Sequence, residues 1–263
     1  MKKHLMKSLF LAFLLGGTAL TATAQGIVVN KTDGTKVYYK ASEVLSVGVY
    51  GYGEEPEPDP SDHEWVDLGL PSGTLWATCN VGATKPEEYG DYFAWGETVG
   101  YNGGKTSFSW STYKYCSGSS TTIWKYCTSS SYGTVDNKTE LEPLDDAATA
   151  NWGEAWQMPS IDQFRELINS SYTTTEWTTI NGVYGRKITS KSNLKYVFLP
   201  AAGYRDEASL SSTGSYGGYW SRSLYTSSSR YAYYLYFSSG NIDTDYYGSR
   251  YFGRSVRPVR VQK

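Results

Sequence analysis

The chain has 263 residues, with 24 basic against 26 acidic side chains and a formal net charge of −2. That near-neutral balance excludes a polyanion-binding surface built on excess positive charge, so no nucleic-acid partner is expected. The bias lies in 25 Tyr, 9 Trp and 27 Gly against 3 Met, a composition that favours short strands, many turns and aromatic surfaces over helices.

In chain order, Lys2, Lys3 and Lys7 precede the apolar run Leu9 to Leu15, and the small residues Ala22-Thr23-Ala24 follow. Basic, apolar and small-residue regions in that order read as a secretory signal peptide over residues 1–24, so the protein is expected to be exported: periplasmic, cell-surface or secreted. The alternative is an uncleaved N-terminal anchor. No later stretch approaches the roughly 20 apolar residues that a transmembrane helix requires. Residues 25–50 then hold two β-prone runs, Ile27 to Asn30 and Thr35 to Tyr39, around Lys31-Thr32-Asp33-Gly34, with a third run at Val44 to Val49. Asp-Gly between such runs signals a hairpin, because both central residues must tolerate positive φ. Residues 51–64, with alternating prolines and acids from Glu54 to Asp62, read as an extended solvated linker.

The main domain is assigned to residues 65–263. It opens with a strand, a Pro-x-Gly turn and a second strand across Trp65 to Ala77. Leu144 to Asn151 suggests a short helix with an aspartate N-cap. The strongest helix signal is Ser160 to Asn169, where Ser160 and Gln163 have capping-box spacing and Phe164, Leu167 and Ile168 share one face. Strands are expected at Tyr196 to Leu199, Gly218 to Ser221, Tyr231 to Phe237 and Ser255 to Val261. In the third of these, the two-residue period sends Leu235 and Phe237 to the core and Tyr234 and Tyr236 outward, unless a bulge shifts them.

Cys79 lies in the apolar context Leu75 to Cys79 and reads as a buried strand thiol. Cys116 and Cys127 flank a Ser/Thr/Gly-rich segment and could close a loop of about ten residues, worth up to roughly 3 kcal/mol if bonded. Two reduced cysteines are the other reading, since an oxidising compartment permits the bond without requiring it.

Five phrases carry a family resemblance: Val66 to Ala77 (VDLGLPSGTLWA), Tyr89 to Thr98 (YGDYFAWGET), Trp156 to Ser160 (WQMPS), Phe198 to Arg205 (FLPAAGYR) and Ser255 to Val259 (SVRPV). In this order, across nearly all of residues 65–263, they resemble the Fibrobacter succinogenes major paralogous (FISUMP-type) domain of Bacteroidetes exported proteins. That resemblance implies an α+β fold of the C-type-lectin-like class shared with formylglycine-generating enzymes, β-rich with one or two helices, here preceded by a small β-hairpin module. The formylglycine-generating relatives use a cysteine pair in the C-terminal half of the domain, whereas every cysteine here precedes Trp152, so that activity is not expected.

Other chemistries lack residues as well. Beyond the leader the only histidine is His63, which leaves Ser-His-Asp and Cys-His arrangements and histidine-ligated zinc without a key residue. Glu87, Glu88, Asp91, Glu97, Asp206 and Glu207 supply carboxylates for a glycosidase, with solvated turn acids as the plainer reading. Asn241 to Asp245 imitates the start of a calcium loop, but Tyr246 stands where the turn glycine belongs. No metal, cofactor or catalytic residue is expected.

Binding is the expected role, with a glycan, peptide or surface protein as ligand. Between Tyr219 and Gly253 the chain is dominated by Tyr, Ser, Gly, Asp, Asn and Arg, the residue set that gives paratopes rigid contact area at low entropy cost. The candidate contacts are Arg222, Tyr225, Arg230, Tyr231, Tyr233, Asp243, Asp245, Tyr246, Tyr247 and Tyr251, with the 100–134 loop, including Tyr113, Tyr115 and Trp124, as the alternative site. Strand tyrosines packed on their neighbours are the competing reading. Tyr225 to Tyr251 also resembles the variable stretch of proteins diversified by retroelements, though residues 107–134 share its Tyr/Ser bias. A carbohydrate-active or oxidative enzyme on the same scaffold and a structural surface or fimbria-like component remain as alternatives. Arg257, beside Pro258, reads as a structural hydrogen-bonding residue of the last strand.

Overall fold

The structure, a computed structural model, describes residues 63–261, Thr35, and the strands at 19–23, 26–30 and 36–40. The chain divides into two compact units, 1–59 and 60–263, and the division falls inside the expected linker.

In the first unit, β1 (Ala19–Thr23), β2 (Gly26–Asn30) and β3 (Lys36–Lys40) form an antiparallel sheet in that order. The β2 and β3 pairing joins Gly26 to Lys40 and Asn30 to Lys36 around the Asp-Gly segment. β1 occupies part of the segment read as a leader. The proposed cleavage site, the run Val44 to Val49 and the acidic linker to Asp62 lie outside the described residues.

The second unit corrects the expected fold class. Instead of a C-type-lectin-like α+β domain, it consists of four small antiparallel sheets of two or three strands and two helices of only 6 and 7 residues. The β-rich character stands. The lectin-like arrangement does not, because the strands divide into separate small sheets tied by loops.

The sheet that matters most contains β11 (Tyr216–Leu224), β12 (Tyr231–Ser238) and β13 (Ile242–Ser249) in chain order. Around it lie β4 (Trp65–Asp67), β5 (Thr74–Ala77) and β14 (Val259–Val261), with β5 central. β6 (Thr173–Ile180), β7 (Val183–Ser190) and β8 (Tyr196–Pro200) form another sheet, and β9 (Tyr204–Asp206) pairs with β10 (Ser209–Ser211). The β6 and β7 hairpin turns on Asn181 and Gly182, both with positive φ of 49° and 82°, the geometry that Asn-Gly favours in a tight hairpin.

Both helices start where local chemistry says they should. Asp146 accepts from the backbone N–H groups of Ala148 and Thr149 to cap α1 (Ala147–Trp152). Ser160 and Gln163 form the reciprocal capping box of α2 (Ile161–Leu167). Phe164 and Leu167 are fully buried and Ile168 packs against the same cluster.

The β11–β13 sheet separates two cores. Tyr219, Leu235 and Phe237 face one, together with Trp76, Phe164, Leu167 and Ile188; Trp220, Leu224, Ala232 and Tyr234 face the other, with Trp95, Tyr115 and Tyr126. Tyr234 and Tyr236, expected outward, therefore belong to the second core: Tyr234 is 6% exposed and Tyr236 packs partly buried against it. Counting strand residues identified the two faces, but covering the second face with residues 80–150 buried it too.

Residues 78–142 contain almost no regular structure, so side chains supply what ladders do elsewhere. The Tyr113 hydroxyl donates to the Trp95 carbonyl at 2.7 Å, Trp95 Nε1 to Ser221 O at 2.8 Å, Trp220 Nε1 to Phe93 O at 2.9 Å and Tyr92 to Ala202 O at 2.7 Å. Much of the aromatic bias is thus interior, where each ring contributes apolar area and its polar tip satisfies a loop carbonyl. Arg250 is fully buried over Trp95 and donates to Tyr113 Oη and to the carbonyls of Tyr126, Ser229 and Lys125. Arg257, also fully buried, bonds Asn80 Oδ1 and the carbonyls of Ala77, Thr78 and Phe198, the structural role read for it.

The cysteines resolve the pairing question: Cys79, Cys116 and Cys127 are all free. The Cys116 thiol points to Trp110 O at 3.1 Å and that of Cys127 to Ser129 O at 3.2 Å, so the two turn to different partners and form no disulfide. Among the described residues no helix is long and apolar enough to cross a membrane.

Candidate functional site

The ten candidate contacts separate into distinct environments. Tyr231 and Tyr233 continue, along β12, the face whose inner end is Leu235 and Phe237. Tyr247 stands directly opposite Tyr233 on β13, and Tyr225 follows the end of β11. These four rings form one cluster. Tyr225 and Tyr247 stack at 3.9 Å with an interplanar angle of 11°, Tyr225 meets Tyr233 edge-on at 5.3 Å, and Tyr231 lies 5.3 Å from Tyr247. Tyr247 is 44% exposed and the other three are half-buried, so the cluster is a surface layer over the core. The neighbouring Tyr225 phenol raises the Tyr247 phenol above its ordinary value, which keeps the Tyr247 hydroxyl protonated.

Charged groups stand at its rim. The Arg230 guanidinium lies between the rings of Tyr132 and Tyr231, at 5.1 and 5.4 Å. Arg165, on α2, reaches over Tyr233 at 5.8 Å and pairs with Asp162 at 2.9 Å and Asp245 at 3.6 Å. Arg165 and Tyr132 were absent from the sequence-based set. Arg165 had a local signal, since its i,i+3 spacing from Asp162 marks a polar helix face, but nothing in the sequence placed that face beside β12.

The other candidates lie elsewhere. Tyr246 pairs with Tyr234 and so alternates to the opposite face from Tyr247, stacked on Tyr236 at 4.4 Å, and the β12–β13 ladder is irregular just beyond it, between Tyr234 and Tyr236. Asp243 accepts from the Asp245 backbone N–H at 2.9 Å within that irregular stretch; Asn241 to Asp245 thus leads into strand β13. Arg222 is engaged by Glu140 at 3.0 Å and by Gln157. Tyr251 packs against Trp110 and Phe252. The alternative site is corrected too: Tyr113 and Tyr115 are core residues, and only Trp124 of that trio is exposed.

Four of the six carboxylates named for hydrolysis are occupied locally. Glu88 accepts from the backbone of Thr84 and Lys85, Glu87 from Asn181, Asp91 from the backbone of Tyr92 and Asn102, and Glu97 pairs with Lys105 at 2.7 Å. Burial and the neighbouring Glu207 charge raise the Asp206 carboxyl. His63 stacks on Trp152 at 3.5 Å.

One buried carboxylate is unusual. Asp145 accepts from the hydroxyls of Tyr115 and Tyr126, the latter at 2.7 Å, and pairs with Lys125 at 2.5 Å. Burial alone would raise its pKa, but those hydrogen bonds outweigh it and hold the carboxyl at about 2. It joins residues 115–126 to the turn preceding α1, a structural role.

The family described as Domain of unknown function (DUF8237) matches residues 177–259. The match runs from β6 to the first residue of β14 and contains the four clustered tyrosines. No curated protein and no solved structure matches the chain.

Proposed function

We propose that the chain is an exported, non-catalytic binding module that presents Tyr225, Tyr231, Tyr233 and Tyr247, rimmed by Arg165, Arg230 and Asp245, to an extracytoplasmic glycan, peptide or protein. The observation that carries this reading is the contiguous, partly exposed tyrosine cluster on a sheet buried on both faces further along. Tyrosines give large contact area with little rotamer entropy to lose, and a rigid sheet fixes them before the ligand arrives. Export is supported by the order of basic, apolar and small-residue regions at the N-terminus. Kinship with the major paralogous domain of exported proteins rests on the five phrases alone.

The non-catalytic reading is supported by the local engagement of Glu87 by Asn181, of Glu88 and Asp91 by backbone N–H groups and of Glu97 by Lys105. Glycan and peptide arrays probed with the purified chain, followed by a turnover assay on each ligand retained, test the proposal. Retention without turnover is the expected result; chemical conversion of a retained ligand, or retention of none, refutes it.

A further inference from the structure

We propose that Tyr225 and Tyr247 form an oxidative cross-linking site, joined carbon to carbon as dityrosine by a one-electron oxidant of the peroxidase class with hydrogen peroxide as terminal acceptor. Their rings are nearly parallel, 3.9 Å apart and 11° from coplanar. The ring carbons beside each hydroxyl are the ones that a carbon-to-carbon link would join. In a phenoxyl radical the unpaired electron resides largely on oxygen and on those ortho and para carbons, in orbitals perpendicular to the ring. Face-to-face stacking aims these orbitals at each other.

The other tyrosine contacts are less suited. Tyr113 meets Tyr115 at 76°, Tyr115 meets Tyr126 at 88° and Tyr204 meets Tyr216 at 67°, arrangements that put ring hydrogens against the partner's face. Tyr236 and Tyr246 stack at 4.4 Å and 25°, a wider and more tilted pair. Tyr247 is open to an external oxidant and Tyr225 is half-buried beside it.

The step balances. Each phenol gives up one electron and one proton, one bond forms between two ortho carbons, and a proton then moves from each of those carbons to its own oxygen to restore aromaticity. One hydrogen peroxide takes up the two electrons and two protons and leaves as two waters. The product ties the segment after β11 to β13 across β12, so it staples all three strands of the sheet.

The test treats the full chain with a haem peroxidase and limiting hydrogen peroxide, then reads dityrosine fluorescence, intact mass and linked peptides. The expected product is a monomer lighter by two hydrogen atoms, its dominant linkage joining Tyr225 to Tyr247, with a higher denaturant midpoint than the untreated protein. Tyr225→Phe and Tyr247→Phe keep the stacked rings but remove the phenol, and each must lose this product. Dityrosine distributed among the exposed residues Tyr184, Tyr196 and Tyr246, linkage only between molecules, no dityrosine at all, or an undiminished intramolecular signal in Tyr225→Phe overturns the proposal.

Discussion

Replacing Asp145 with Asn keeps the size and shape of the side chain while removing its charge. In the folded protein this carboxylate receives the hydroxyls of Tyr115 and Tyr126 and the Lys125 ammonium. Tyr126 Oη also accepts from the Glu142 backbone N–H, and Lys125 retains Glu142 at 2.6 Å, so the change does not orphan every partner. Each hydrogen bond to a charged group contributes about 1.5–3 kcal/mol, and breaking a buried pair from one side costs about 3–5 kcal/mol. Because Asn retains one acceptor oxygen, the lower end applies, about 3 kcal/mol. The acid profile gives an independent check. The folded carboxyl titrates at about 2 against an ordinary value of 3.8, a difference worth about 2 kcal/mol. A depressed carboxyl stabilises the fold above its unfolded pKa, and that contribution is lost as pH falls from about 4 through about 2. Urea unfolding at neutral pH and through this acid window, on wild type and Asp145→Asn, measures both effects. The variant should be less stable at neutral pH and should lack this component of acid destabilisation; equal midpoints with superimposable acid profiles would refute the role given to Asp145.

Leu167→Ala opens a fully buried site beneath α2 and should cost about 2–5 kcal/mol in denaturant unfolding, whereas Ser160→Ala removes only the cap and should cost about 1 kcal/mol. Gly218 on β11 leaves room for Arg254: a Cβ there would stand 2.2 Å from a guanidinium nitrogen. Gly218→Ala should therefore lower the thermal midpoint and disturb the near-UV signal of Trp220 and Tyr234, which face the same guanidinium at 5.1 and 3.7 Å. N-terminal sequencing of the exported protein should begin near Gln25; an intact Met1 chain in the cytosol would contradict the leader assignment.

What was legible in the sequence had local causes. The capping box at Ser160 and Gln163, the aspartate cap of α1 and the strand centres of β8, β11 and β12 each depend on neighbours a few residues away. β6 and β7 were missed although Asn181-Gly182 lies between them, because the Thr-rich β6 carries only Trp177 and Ile180 as large apolar residues, too few to show a two-residue apolar period. β13 carries no strand signal in the sequence because its start holds Asp243 and Asp245 and its irregular pairing breaks the two-residue period. Residues 78–142 had no periodicity to read, since tyrosine, tryptophan and arginine tips bind their carbonyls in place of a ladder. At the site, residue types pointed to tyrosines, but the face of each depended on which residues β13 sets opposite β12: Tyr247 pairs with Tyr233 and Tyr246 with Tyr234, so alternation sends them to opposite faces.

That separation offers the most direct test of the binding face. Tyr246 and Tyr247 are adjacent, both tyrosine, and similarly exposed at 40% and 44%, yet only Tyr247 belongs to the cluster with Tyr225, Tyr231 and Tyr233. The decisive measurement is the affinity of wild type, Tyr246→Ala and Tyr247→Ala for a ligand retained on the arrays, with thermal unfolding recorded on the same samples. Tyr247→Ala should weaken binding by about 1–3 kcal/mol while the protein stays folded, and Tyr246→Ala should bind as wild type does. Equal losses in both variants, or a loss confined to Tyr246→Ala, would contradict the assignment of the ligand to this face.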